Sequence, residues 1–300
     1  MLRLRFGIKT APLLATHDAL LDVWQEAEAL PIFEHAWVND HFMPLGDNPA
    51  GPCLEGWTLL AALAAQTRRL RVGVMVTGNT YRHPAVLAKM AATVDVIARG
   101  RLNFGIGTGW SEKEHRAYGI PLPPPGERVR RLGEACEMIR RLWTEPVVSF
   151  AGRHYQLREA YCEPKPIQKP HPPFAIGADG EHALRVVARY ANIWDCSVDS
   201  PEVYRHKSAI LDSYCAAIGR DPATIERSRH VAVDASDLNA ALLETRAFID
   251  VGASCIIYHV PVPDPRGILR RLAVEVAEPL HAAYQETEER AHIRESSSLR

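Results

Sequence analysis

No window of this chain approaches the ~18 consecutive apolar residues that a membrane-spanning helix requires. Its first segment, MLRLRFGIKTAPLLA, is interrupted by Arg3, Arg5 and Lys9 within a strand-like alternation. No membrane partner is expected, and the expected location is the cytoplasm. Excess charge of either sign is also missing: 35 basic residues stand against 36 acidic ones, a net charge of -1. No overall field would therefore gather nucleic acid. The six cysteines, at 53, 136, 162, 196, 215 and 255, never fall at CxxC spacing. That argues against a zinc ribbon, an iron–sulfur cluster or a dithiol redox motif and leaves reduced core thiols. Nor does an HxH or HxxxH spacing accompany Asp40 and His41, as a metal-dependent hydrolase would need, so no metal is expected.

What the chain does have is a repeated alternation of short apolar runs and amphipathic helices. Arg69 to Tyr118 displays it best. Leu70 to Thr77 is short and valine-rich, Gly78 and Asn79 stop it, and Pro84 opens a helix. Along that helix Leu87, Met90, Ala91, Val94 and Ile97 form one stripe, and Gly100 closes it. A second apolar strand runs from Leu102 to Ile106 and ends in Gly107, Thr108, Gly109 and Trp110. Two strands joined by one such crossover run parallel.

The same rhythm extends along the chain. Strands are expected at 2–9, 36–38, 174–177, 193–196, 228–233 and 254–259, and helices at 18–30, 57–67, 127–143, 181–190, 201–218, 238–251 and 266–284. Residues 146–173 break the rhythm with a hairpin-like VVSFAGRHYQL and the proline-rich EPKPIQKPHPP, and read as an insertion. About eight strand–helix pairs match a (β/α)8 barrel with an insertion between strands 4 and 5. One domain is expected over 1–285, with 286–300 as a polar tail. A doubly wound open sheet is the competing architecture. Its dinucleotide loop is poorly represented, because Gly105, Gly107 and Gly109 space as GxGxG and Glu112 or its neighbours fill the last small position.

In such barrels chemistry sits at the C-terminal ends of the strands. Asn39, Asp40 and His41 follow the second strand, and Thr77, Gly78 and Asn79 the third. His41 can give or take a proton near neutral pH. Gly177-Ala178-Asp179-Gly180 opens a helix: a phosphate could sit on its free N–H groups, or Asp179 or Gly180 could simply cap the turn. Trp57 and Trp110 either stack on a flat ring or fill gaps. Glu112, Glu114 and His115 are expected on a solvated turn, the arginines of helix 127–143 in solvent, and His83 in a loop facing the mouth.

The segments WVNDHF, VTGNTYRHPAVLAKMAATVDVIARGRLNFGIGTGW and PFAIGADGEHALRVVARYANIWD together resemble the luciferase-like monooxygenase superfamily, in particular its branch using the deazaflavin coenzyme F420. The resemblance covers nearly the whole chain. It implies a homodimeric barrel with an inserted segment, a deazaflavin across the strand ends (FMN in the alternative, a monooxygenase) and a small-molecule substrate. Asp40 and His41 match the family's pair near the ring, with His41 as the catalytic residue. Met75 to Thr77, including Val76, match a bulge with a non-prolyl cis peptide behind the ring, and Asn79 follows it. Gly107, Thr108 and Gly109, with Trp110, match a backbone clamp, and Gly177, Ala178, Asp179 and Gly180 the phosphate site. The family's sugar-phosphate dehydrogenases carry a catalytic glutamate where Trp110 stands. That substrate is disfavoured here, and Glu112 and Glu55 are the replacement acids within conceivable reach.

Overall fold

The computed structural model describes residues 3–46, 48–264 and 267–286. Eight parallel strands close on themselves. They are β1 (Arg5–Thr10), β2 (Phe33–Val38), β3 (Arg71–Val74, resumed at Thr77–Gly78), β4 (Leu102–Gly107), β5 (Phe174–Gly177), β6 (Ile193–Cys196), β7 (Glu226–Ala232) and β8 (Cys255–His259). Each pairs with its neighbours in chain order, and β8 pairs with β1, Phe6 opposite Ile256, which closes the (β/α)8 barrel. The open doubly wound sheet is thereby excluded.

Helices α1 (His17–Ala29), α2 (Gly56–Gln66) and α3 (Pro84–Ile97) follow the first three strands. A short α4 (Glu112–Ala117) and the long α5 (Pro125–Thr144) follow β4. Then come α6 (Glu181–Tyr190), α7 (Pro201–Ala217), α8 (Leu238–Ile249) and α9 (Ile268–Leu272), which continues through a π-helical turn at Ala273–Ala277. The expected segments agree with these to within a few residues. Leu2, Arg266 and 287–300 lie outside the described residues. The insertion contains an antiparallel hairpin, Val148–Ala151 with Gln156–Ala160.

Period-two alternation along each strand divides the apolar side chains between two cores. Outward-facing residues such as Phe6, Val72, Phe104 and Trp194 join the helices in one buried cluster. Inward-facing Trp37, Met75, Ala175, Ile193, Cys255 and Ile257 form a smaller plug inside the barrel. Above the plug, at the C-terminal ends of the strands, the inward positions turn polar, and there the cavity begins. Five of the cysteines are buried and Cys53 is half-buried, all as free thiols.

Candidate active site

A cavity of about 630 Å³ opens at the C-terminal ends of the strands, within the range of small-molecule sites. Asp40 and His41 form its wall after β2, Gly107 to Trp110 after β4, and Gly177 to Gly180 after β5. Val76 and Gly78 complete that side from β3.

The Met75–Val76 peptide is cis. Beyond it, side chains alternate again: Val76 and Gly78 face the cavity, whereas Thr77 and Asn79 turn outward. Thr77 is fully buried and accepts a 2.6 Å hydrogen bond from Trp57 Nε1, and Asn79 Nδ2 donates to the Tyr155 hydroxyl at 3.1 Å. These two residues therefore back the wall rather than form it, which corrects the expectation. Val76 also explains two glycines. A Cβ at Gly107 or at Gly177 would lie 2.8 Å from Val76 Cγ2, so both positions are kept bare by packing.

His41 is held from behind. Its Nδ1 lies 2.8 Å from Glu114 Oε2, and the same carboxylate accepts the Phe42 N–H at 2.6 Å and the Tyr81 hydroxyl at 2.9 Å. Burial alone would raise the Glu114 pKa, but the bonds from His41 and Phe42, the His41 charge and Ser111 hold it at about 2. The carboxylate thus accepts from Nδ1–H, and Nε2 is the ring nitrogen with no hydrogen bond to any described residue. Glu114 and His115 are buried, contrary to the expected solvated turn; only Glu112 of the three is exposed. Ser111 caps α4, and its inward face carries Glu114 to His41 and His115 to the Thr80 hydroxyl at 2.7 Å. Nothing in the linear pattern marked Glu114 as a partner of His41.

Asp40 is committed elsewhere. Arg82 clamps both its oxygens, at 2.6 and 3.0 Å, and also contacts Glu55. Burial nonetheless raises the Asp40 pKa against that cation. Glu55 caps α2 through the Trp57 and Thr58 N–H groups, so it is not a free acid either. Trp57 is a buried packing residue, while Trp110 is 64% exposed on the lip of the cavity, its ring edge-on to His41 with centroids 5.9 Å apart. His83 is exposed, caps α3 through the Ala85 N–H and does not line the cavity.

Arg128, expected in solvent, lines the cavity and donates to the Gly109 carbonyl. Its Nε is buried without a partner, as is Asn39 Oδ1 nearby. At the other end of the cleft, α6 starts at Gly180 with no side-chain cap, whereas α1, α2, α3, α4, α7 and α8 each have one. Asp179, offered as a cap, instead accepts the Ser197 N–H at 3.1 Å. The α6 N-terminus therefore has no side-chain acceptor, and Gly180 and Ala183 at that end line the cavity.

Lys9, Asp195, Ser197 and His230 also line this cavity and were not singled out from the sequence. All follow or end strands, so the rule that found His41 applied to them equally. Nothing in the sequence signalled Arg128, one of several arginines on α5.

Residues 5–297 match the family model described as luciferase-like monooxygenase. The chain belongs to the luciferase-like monooxygenase family. Among its relatives, an F420-dependent glucose-6-phosphate dehydrogenase from Microbacterium testaceum (strain StLB037) is 34% identical over 248 residues, 81% of this chain and 72% of the relative. Among solved structures of the fold, an F420-dependent secondary alcohol dehydrogenase in complex with an F420-acetone adduct superposes with a TM-score of 0.78 at 18% identity, covering 91% of this chain and 97% of the other. The coenzyme F420-dependent tetrahydromethanopterin reductase from Methanopyrus kandleri does so with a TM-score of 0.76 at 17% identity, covering 91% and 98%. Among the described residues, no helix is long and apolar enough to cross a membrane.

Proposed function

We propose that this luciferase-like family member is an oxidoreductase that uses coenzyme F420 to move a hydride to or from a small organic substrate. The observation that carries the reading is the composition of one half of the barrel mouth. From β2 through β5 it brings His41, Val76, the Gly107–Trp110 run and the uncapped α6 N-terminus to one cavity. The curated F420-dependent relative supports the choice of coenzyme.

The residues fit such a group. An uncapped helix N-terminus suits a phosphate, because its N–H groups and partial positive charge both favour an anion. The unpartnered Arg128 Nε and Asn39 Oδ1 are a buried donor and a buried acceptor that a polar heterocycle could satisfy. Arg128, Asn39, Gly107 to Gly109 and Gly177 to Gly180 are the residues that would hold it. When bound, the deazaflavin supplies a hydride donor or acceptor at C5. The chain's own contribution is the proton: Glu114 fixes Nδ1–H, so His41 Nε2 accepts a hydroxyl proton in substrate oxidation and returns it in reduction.

Titration of the protein with F420 and, separately, with FMN, followed by absorbance and fluorescence, tests this. Saturable F420 binding at least tenfold tighter than FMN binding is expected. The family's own description favours one alternative, an FMN-dependent monooxygenase. FMN binding in preference to F420 would establish that alternative and overturn the proposal.

A further inference from the structure

The proposed cofactor residues all come from β2 to β5, which leaves the other half of the mouth, β6, β7, β8 and β1, to account for. Its inward strand-end residues are Asp195, His230, His259 and Lys9, consecutive around the barrel. Resting on the proposed function, we propose that this half is the substrate wall, and that Lys9 receives a singly charged carboxylate of the substrate rather than a phosphate ester.

Three of the four residues form a closed chain. The Ser228 hydroxyl donates to Asp195 Oδ1 at 3.2 Å, and His230 Nε2 lies 2.8 Å from the same oxygen and 3.2 Å from Met75 Sδ. A carboxylate and a thioether only accept, so Nε2 carries the hydrogen, His230 Nδ1 is an acceptor, and His259 Nε2 lies 3.0 Å from it as the donor. Lys9 is different. Its ammonium group has no hydrogen bond or ion pair with any described residue, yet it faces the cavity. A cationic donor left unpaired beside an ordered polar chain is arranged for a ligand oxygen.

The charge count selects the ligand. Burial lowers the Lys9 pKa to about 8 against the pull of Asp195, so the amine is still mostly protonated at neutral pH. Burial would raise Asp195, but His230, Lys9 and Ser228 hold it at about 2. Burial lowers His230, and lowers His259 to about 3, so both rings are neutral. One cation and one anion make the wall neutral. Of the other cations nearby, Arg82 is paired with Asp40 and Glu55, and Arg128 stands at the opposite wall among the residues proposed to hold the cofactor. A monoanion on Lys9 leaves the wall one charge negative beside Asp195, whereas a phosphate dianion leaves it two charges negative.

The test uses cofactor-free protein with [ε-13C]lysine, the Lys9 signal being assigned by its absence in Lys9→Met. Propionate and methyl phosphate are the probes. Propionate is expected to shift the Lys9 signal saturably and to bind at least about tenfold more tightly than methyl phosphate. Asp195→Asn, which leaves the wall with net positive charge, should narrow or invert that preference. Thermal melts of both variants establish that they are folded. Methyl phosphate binding as tightly as propionate to the unsubstituted protein, or no response of Lys9 to either probe, overturns the proposal. F420 titration of Lys9→Met separates the two readings. Unchanged affinity is expected, a tenfold loss would assign the wall to the cofactor and overturn the inference, and absence of F420 binding to the unsubstituted protein would sink the proposed function without bearing on the probe result.

Discussion

Glu114 Oε2 lies 2.8 Å from Nδ1 of His41, although the two residues stand 73 positions apart in the chain. The acid stands behind the histidine, fixes its tautomer and leaves Nε2 to the cavity.

Replacing Glu114 by Gln should therefore disturb His41 before it disturbs the cofactor. Long-range 1H–15N spectra should show His41 as the Nδ1–H tautomer in the native protein and as a mixture in Glu114→Gln. Once a substrate is known, turnover should fall by about 10²-fold, and by ~10²–10⁴ in His41→Ala, with F420 affinity within about threefold. An unaltered tautomer in Glu114→Gln would remove the assigned role.

The same carboxylate predicts an acid-sensitive term in stability. Its folded pKa, about 2, lies below the ordinary 4.5. The contribution is fully present above about pH 4.5 and is lost as pH falls toward 2, because the unfolded chain binds the proton more readily. Its size is on the order of 3 kcal/mol. Urea unfolding at stepped pH should show a shallower acid loss in Glu114→Gln than in the native chain.

Gly180→Asp should separate helix stability from cofactor binding. Gly180 has φ −83, and its added Cβ meets nothing within 4 Å, so the side chain is accommodated. A capping carboxylate should stabilise α6 by ~0.5–2 kcal/mol. It should also occupy the N–H groups offered to a phosphate and lower F420 affinity tenfold or more. A raised melting temperature with unchanged affinity would place the phosphate elsewhere.

Val76 and Gly177 should be coupled. A Cβ at 177 would sit 2.8 Å from Val76 Cγ2, so Gly177→Ala is expected to cost ~1–3 kcal/mol. Val76→Ala removes the clashing methyl and should recover much of that cost. Denaturant titration of both singles and the double mutant measures the coupling, and purely additive losses would contradict the packing account.

Arg82→Met leaves the Asp40 carboxylate buried and unpaired, which should cost ~3–5 kcal/mol. Adding Asp40→Asn should recover part of it. If the single change is neutral in urea unfolding, the clamp has been misread.

Much of the fold was legible because alternation and periodicity are local. Phe174–Gly177, Glu181–Tyr190 and Ile193–Cys196 fall where the pattern places them, since each is bounded by glycine, proline or polar residues and filled by one apolar period. The strand-end rule led to His41 and to the two glycine runs. The same rule extends to β1, β6 and β7, whose ends carry Lys9, Asp195 and His230. Thr77 and Asn79 fall behind the wall because the irregular backbone at Val76 resets which residue of the alternating pair points inward, and residue type does not reveal that phase.

By itself the sequence determined the barrel, its insertion and the family, because each rests on the order of short segments and on motifs whose spacing is fixed along one chain. Only the tertiary structure decided which carboxylate stands behind His41, that Asp40 is bound to Arg82, and that the Lys9 ammonium group faces the cavity with no hydrogen bond to a described residue. Those are relationships across 73, 42 and more residues of separation, set by how strands close into a ring and by which buried charges find each other there.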